Sequence, residues 1–532
     1  MQKLAIKISM IISAILFSGG FTASAEEGMR EITLLEGPFE ADWSDSHSVD
    51  PMQLAGLAAG DVIHVYTSNV KNWAQAYIRT KANGWAAISP EFDNFKITGD
   101  YECVFTQELV ETVNDQILMF GGSGHTIEKV TLKTTRPEDT RVGYDDLCDP
   151  NASEATQQIY NLLRDCYGQK SISCSMAEVD WNYKEAGYVK SWTGKYPAMN
   201  GFDYIHLSYS WEYYTDITPV KEWWDMGGLV ALAWHWRAPS SQSQWEAYKA
   251  NNNDNTVFEG FYAPGGGTPT TNFSAANAVT EGTWENEFVK ADLKKVADRL
   301  ELLRDAGIVV IWRPLHEAAG NSTIYSDGKA WFWWGYDGAE PCVKLWKMMY
   351  DYFQERGLNN LIWVWTSQTK DAKWYPGDEY VDMIGRDLYN YSLDTAAYNF
   401  KYLTTYYPHK MLALSECGYE GGSSPYMGDQ WDAGAKWSYA MPWYHYQYTL
   451  GGSHKYANSD WWISWFDEDN AITLDEMKTL REEYLSRPVS GVQAIEETRA
   501  TDDAWYTIQG VRVNAPTAPG LYIHGGKKIL VK

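Results

Sequence analysis

Cysteine is scarce in this chain of 532 residues: there are six, at Cys103, Cys148, Cys166, Cys174, Cys342 and Cys417. So few in so long a chain do not make a disulfide framework, and none falls in the CxxC or Cys/His spacing of a zinc site. A bridge such as Cys148–Cys166 is compatible with export, but buried free thiols are the simpler expectation. Basic residues are also few: Lys and Arg number 44 against 70 Asp and Glu, a net charge of −26. Such a surface repels phosphate backbones and anionic lipid, so nucleic acid is not an expected partner. No apolar run approaches the roughly 18 residues that would span a bilayer. There is no Gly-rich phosphate loop and no GxSxG elbow. No cofactor and no metal are expected.

Aromatic residues are plentiful, with 27 Trp and 37 Tyr. At that density they either fill a large core or line a groove for flat, weakly polar ligands such as sugar rings. Trp is mostly buried, so only roughly one in four is expected on a ligand surface. A neutral polymer suits the acidic charge balance best. The start of the chain reads as an export signal over residues 1–25. Lys3 and Lys7 are its basic end, Ile8 to Phe17 its short apolar run, and Ala23-Ser24-Ala25 its small-residue cleavage site. No Cys stands at that site, so a lipid anchor is not indicated. The expectation is a protein secreted to the extracellular space, the periplasm or the surface of a bacterium, with no membrane span.

Three regions follow. Residues 28–136 alternate apolar and polar residues in short runs, such as Val62-Ile63-His64-Val65-Tyr66, separated by Gly and Asn turns. That near-period-2 pattern predicts a small antiparallel β-sandwich. Trp43, Trp73 and Trp85 within it are either stacking faces or core residues. From 148 to 488 strands alternate with long helices. Eight strand candidates begin near Ser171, Asp203, Leu229, Ile308, Leu361, Val381, Met411 and Trp461. Val289, Leu293, Val296, Leu300 and Leu303 form a helical stripe ended by Gly307. Cys342, Leu345, Trp346, Met349 and Phe353 form another, ended by Gly357. The fold class is therefore α/β: a (β/α)8 TIM barrel flanked by an N-terminal β-sandwich and a small C-terminal β module over 489–532. A doubly wound open sheet is the alternative, but it normally has fewer strands.

A TIM barrel gathers its chemistry at the C-terminal ends of its strands. The fourth candidate ends Arg313-Pro314-Leu315-His316-Glu317, and the seventh ends Leu414-Ser415-Glu416. Either Glu alone would be an ordinary solvated strand end. Together, on strands facing each other across the barrel mouth and surrounded by aromatics, they can converge on one sugar. At about 5–5.5 Å apart one carboxylate attacks the anomeric carbon while the other protonates the leaving oxygen. His316-Glu317 is followed by Ala318-Ala319-Gly320, so it is not the HExxH helix of a zinc hydrolase.

The run WRPLHE, followed by WFWWG over Trp331 to Gly335, resembles glycoside hydrolase family 26, the β-mannanase family. NGFDY at Asn200, AWHW at Ala233, GRDLY at Gly385 and LSECG at Leu414 add to the resemblance. It implies a retaining endo-β-1,4-mannanase acting on β-mannan polysaccharide or oligosaccharide, with roles carried over motif by motif. Glu317 would be the acid/base and Glu416 the nucleophile. His316 would orient the substrate, Tyr389 would hydrogen-bond the nucleophile, and Arg313 would keep it ionised. Trp331 and Trp465 would stack on sugar rings, and His235 would be a polar subsite residue. The two acids should differ in environment, one with a raised pKa and one with a low pKa. The run Ala318 to Ala330 is longer than the family pattern. The resemblance also admits an exo-mannobiohydrolase, a β-1,3-xylanase or a mixed-linkage glucanase. A noncatalytic glycan-binding protein is the alternative of a different class, which the two intact carboxylates oppose. Residues 28–136 resemble a carbohydrate-binding module. The run GLYIHGGKKILVK resembles the C-terminal tail of secreted Bacteroidetes enzymes. A monomer is expected.

Overall fold

The computed structural model describes residues 29–488 and four short strands between residues 505 and 531, apart from residues 45, 82–83, 114–115, 179–180, 209–211, 251–257, 326, 420–423 and 445–455. The expected export signal lies outside the described residues. So do residues 489–504 at the start of the expected C-terminal module.

Two four-stranded antiparallel sheets come first. Their strands are β1 (Arg30–Glu40), β2 (His47–Val49), β3 (Val62–Ser68), β4 (Gln75–Thr80), β5 (Phe95–Lys96), β6 (Tyr101–Val104), β7 (Leu118–Ser123) and β8 (Thr126–Thr134). The sheet orders are β1-β8-β3-β6 and β2-β7-β4-β5, and Ile63, Val65, Cys103, Phe120, Val130 and Leu132 share one core between them. The period-2 pattern explains the layering. In β6, for example, Tyr101 and Cys103 point inward while Glu102 and Val104 are exposed. Trp43, Trp73 and Trp85 are 48%, 59% and 43% exposed, so none is a core residue.

Eight parallel strands form the second and larger core: β9 (Ser171–Met176), β10 (Met199–Asp203), β11 (Leu229–Ala233), β12 (Val310–Arg313), β13 (Leu361–Ser367), β14 (Met383–Tyr389), β15 (Met411–Gly418) and β16 (Tyr439–Pro442). Each pairs with the next, and β16 closes on β9 through Tyr439↔Ile172. The result is a closed (β/α)8 TIM barrel. Nearly every strand residue is buried, as a parallel sheet covered on both faces requires. The two apolar stripes predicted as helices lie on the helices Trp284–Asp305 and Ala339–Glu355. All ten of their residues are buried, and Gly307 and Gly357 follow in the left-handed conformation (φ 72° and 66°).

Two strand assignments need correction. The second barrel strand ends at Asp203, where the sequence reading began it. The eighth is Tyr439–Pro442, and the run Trp461 to Phe466 lies instead in the helix Ser459–Phe466. Its buried residues Trp461, Trp462, Trp465 and Phe466 recur at helical spacing, Ile463 is 40% exposed, and the Asn458 side chain caps the first turn by accepting from the Trp461 backbone N–H. So short and largely apolar a run does not settle its period, and burial on one helix face reads like a core strand.

A two-residue strand, β17 (Ala471–Ile472), pairs with the start of β9. A last antiparallel sheet joins β18 (Trp505–Thr507), β19 (Arg512–Val513), β20 (Gly520–His524) and β21 (Lys527–Val531). All six cysteines are free thiols, Cys148 and Cys166 included. Among the described residues no helix is long and apolar enough to cross a membrane.

Candidate active site

The strand ends that the sequence singles out meet at one barrel mouth. At the end of β12 the chain makes a strained turn: Leu315 and Glu317 both have positive φ, 47° and 51°. Side chains avoid that region, and each such residue costs on the order of 1–3 kcal/mol. Two of them within three residues turn the Glu317 side chain over the mouth. The turn is held from behind by Gly335 of the WFWWG run. A Cβ at Gly335 would lie 1.7 Å from the Ala318 carbonyl oxygen, so only glycine lets that segment close against the loop.

Glu416 stands on β15 directly opposite Asp387 of β14, beside a register shift in the pairing of those strands. Such irregularities re-aim side chains next to functional sites. Arg313 lies between the two carboxylates. Its Nη1 donates to Asp387 Oδ2 at 3.1 Å and its Nη2 to Glu416 Oε1. Tyr389 OH donates to Glu416 Oε2 at 2.6 Å, and Ser415 Oγ donates to Asp387 Oδ1 at 2.6 Å. Across the mouth, Trp331 Nε1 donates to Glu317 Oε2 at 2.9 Å. Glu317, Asp387 and Glu416 each present a carboxylate oxygen, and these atoms lie within 4.8 Å of one another.

Three acids so close cannot all ionise freely. Burial and the nearby charges of Asp387 and Glu416 push Glu317 well above the usual carboxylate range. Burial and Asp387 also push Glu416 up, to about 7, while Arg313 and the Tyr389 hydrogen bond hold it down. Both acids are thus raised, where the sequence reading expected a low value for Glu416, because Asp387 is buried beside it. Arg313 is almost fully buried. Burial opposes its charge, yet Asp387 and Glu416 more than offset this and hold its proton. The trio could be taken for a metal site, but the guanidinium already supplies the cation that Asp387 and Glu416 need. A divalent ion there would sit against it. The arrangement suits one proton shared among carboxylates.

The remaining predicted residues divide. His235, at the end of β11, is fixed by Asp203, which accepts from its ring Nδ1 at 2.5 Å and from its backbone N–H at 3.0 Å, leaving Nε2 for a ligand. His316 packs edge-on against it, with ring centroids 4.6 Å apart. Burial and the Arg313 charge lower its pKa well below the usual value, so it is neutral. Both line a groove of about 610 Å³ together with Glu317, Trp331, Tyr389 and Glu416. Trp465 does not belong there. It is completely buried among Trp461, Trp462 and Phe466, and the misassigned eighth strand is the reason for the error. The aromatic at the end of the true eighth strand is Trp443, which does line the groove.

Sequence reasoning also missed Asp387 and Asp203. Each was legible as an acid at or near the end of a barrel strand, inside the quoted motifs GRDLY and NGFDY.

This barrel and its acid pair define a glycoside-hydrolase type of site. Residues 148–459 match glycosyl hydrolase family 26, and the chain belongs to that family. A mannan endo-1,4-beta-mannosidase from Thermothelomyces thermophilus is 34% identical over 271 residues, 50% of each chain. A mannan endo-1,4-beta-mannosidase B from a Piromyces species is 31% identical over 344 residues, 62% of this chain and 53% of that one. The chain thus spans about half the length of the curated relatives it matches. Among solved structures, the family 26 domain of an endo-beta-mannanase/endo-beta-glucanase from Prevotella bryantii is 40% identical with a TM-score of 0.56. That match covers 62% of this chain and 98% of that domain.

Replacing Arg313 with Met should have two separable effects. Two buried acids lose their cation, so stability should fall by about 3–5 kcal/mol in a denaturant titration at neutral pH. Because Arg313 lowers the Glu416 pKa, its loss should also move the acidic limb of any pH–activity profile to higher pH. An unchanged acidic limb in a folded variant would remove Arg313 from the account.

Proposed function

We propose that this chain is a retaining endo-β-1,4-mannanase that hydrolyses mannan, galactomannan or glucomannan by double displacement. The observation that carries the proposal is the carboxylate spacing. Oxygens of Glu317 and Glu416 lie within 4.8 Å, close to the roughly 5–5.5 Å of retaining enzymes and short of the ~6.5–9.5 Å that admits a water for inversion. Glu416, paired with Arg313 and Tyr389, is the nucleophile. It attacks the anomeric carbon while protonated Glu317 gives its proton to the glycosidic oxygen, and the leaving sugar departs as an alcohol. Glu317, now ionised, takes a proton from water, which displaces Glu416 and restores both groups. Tyr389 keeps its own proton, because burial and the Glu416 charge push its pKa well above the usual phenol value, so it remains a donor. His235 and Trp443 contact the sugar on the same groove.

The substrate assignment rests on the named activity of the relatives, and product profiling tests it. Linear mannan and galactomannan should yield a ladder of short manno-oligosaccharides from the first minutes, with lichenan and xylan untouched. Release of mannobiose alone indicates the exo-enzyme. Faster cleavage of lichenan or xylan overturns the substrate. We also take residues 1–25 as an export signal, with 28–136, 148–488 and 489–532 as successive domains, the first of them a carbohydrate-binding module. Separate apolar cores in the first two support that division. A soluble 148–488 fragment that cleaves manno-oligosaccharides would establish it, and an insoluble one would refute it.

A further inference from the structure

The two ends of the segment after the acid, residues 318–322 and 327–330, are pinned together. Gly320 N–H donates to the Glu317 carbonyl at 2.9 Å, and Asn321 N–H to the Lys329 carbonyl at 3.0 Å. The Asn321 side chain in turn accepts from the Lys329 N–H at 2.7 Å. Gly320 has a positive φ of 56°, and a Cβ there would lie 2.1 Å from the Lys329 oxygen. Ends pinned in this way fix where the loop leaves and rejoins the barrel mouth.

That loop is tied to the next two elements around the barrel. Thr323 Oγ1 donates to the Thr369 carbonyl at 3.0 Å. Thr369 and Lys370, just past β13, both have positive φ (66° and 56°), and the Thr369 N–H donates to Ser367 Oγ at 3.1 Å. Lys370 N–H donates to Tyr402 OH at 2.9 Å on the helix Leu393–Tyr406. One turn earlier the same helix carries Tyr398. The contacts thus run from the acid's own loop, through a strained turn, to the helix that follows β14.

The wall they build exposes large side chains to the groove. Tyr325 is 60% exposed, Tyr398 43% and Ile324 37%, and all three line the cavity that holds the two acids. Exposed apolar and aromatic side chains grouped along one groove mark a ligand-binding surface. A tyrosine ring suits the C–H face of a pyranose, with its hydroxyl at the wet edge.

We infer that Tyr325 and Tyr398 form a binding subsite for the leaving-group part of the polymer, beyond the sugar that Glu317 protonates. The inference rests on the mannanase reading above. The position follows from the acid: Glu317 faces the oxygen being released, and the wall begins at the residue after it. The ligand is a neutral pyranose chain of at least two units on that side. The subsite makes the enzyme favour long chains, because an aryl leaving group does not reach it.

The test compares mannohexaose with an activated aryl β-mannobioside in Tyr325→Ala, Tyr398→Ala and Tyr325→Phe. The two alanine variants should each raise KM for mannohexaose about 5- to 10-fold, the loss of one stacking contact. Their hexaose cleavage pattern should shift, while kcat/KM on the aryl mannobioside stays at the wild-type value. Tyr325→Phe should keep the ring contact and the wild-type pattern. Equal losses on both substrates would place the wall on the other side of the cleavage point or make it structural, and no change on either would remove it from substrate binding. Both outcomes overturn the inference. Wild-type turnover of the aryl mannobioside judges the mannanase reading separately, so the two failures are distinguishable.

Discussion

Glu416→Ala should abolish turnover, lowering kcat/KM on both mannan and activated aryl mannosides by about 10⁴-fold or more, which is ~5.5 kcal/mol of lost transition-state stabilisation. The loss falls on both substrates because the nucleophile serves the first step whatever the leaving group. Folding should survive, since removing Glu416 relieves a crowded acid cluster and leaves Arg313 still paired with Asp387. Binding of mannan to the inactive variant should remain measurable, because His235, Trp331 and Trp443 stay in the groove. Steady-state kinetics and a binding titration on the same preparation check both parts. Wild-type-like turnover would remove Glu416 from the chemistry.

Glu317→Ala should behave differently. Its proton matters when the leaving group is a sugar alcohol and little when it is an activated phenol. Activity on mannan should fall by about 10²–10⁴-fold, while glycosyl transfer from an activated aryl mannoside survives in part, falling by less than about 10²-fold. Added azide should then accelerate turnover and yield a mannosyl azide, because the small anion needs no base to attack. In the wild type, Glu317 must be protonated and Glu416 ionised at once. Burial raises both acids, so the bell-shaped pH profile should lie above that of ordinary carboxylates, with activity lost at low pH as Glu416 gains a proton and at high pH as Glu317 loses its own. Equal losses on both substrates with no azide rescue would contradict the acid/base role.

These expectations were partly legible before any coordinates. Glu317 and Glu416 could be read because each ends an apolar run, and barrel geometry turns strand ends into a site. The helices were legible through stripes such as Val289 to Leu303. What failed is also physical. The run Trp461 to Phe466 carries no visible period, while the true eighth strand is four residues long and ends in proline, so Trp465 was chosen where Trp443 belongs. The Asn458 cap was the available signal. The Arg313–Asp387–Glu416 cluster depends on the pairing of β14 with β15 and the register shift there, which no single-strand pattern encodes.

The central claim is double displacement by two carboxylates, and the stereochemistry of the first product tests it most directly. Proton NMR of mannohexaose hydrolysis, recorded within the first minutes before mutarotation, resolves the new reducing-end anomers. The account predicts that the β-anomer appears first and the α-anomer grows in later by mutarotation. Initial release of the α-anomer would mean a single inverting displacement by water, and would contradict it.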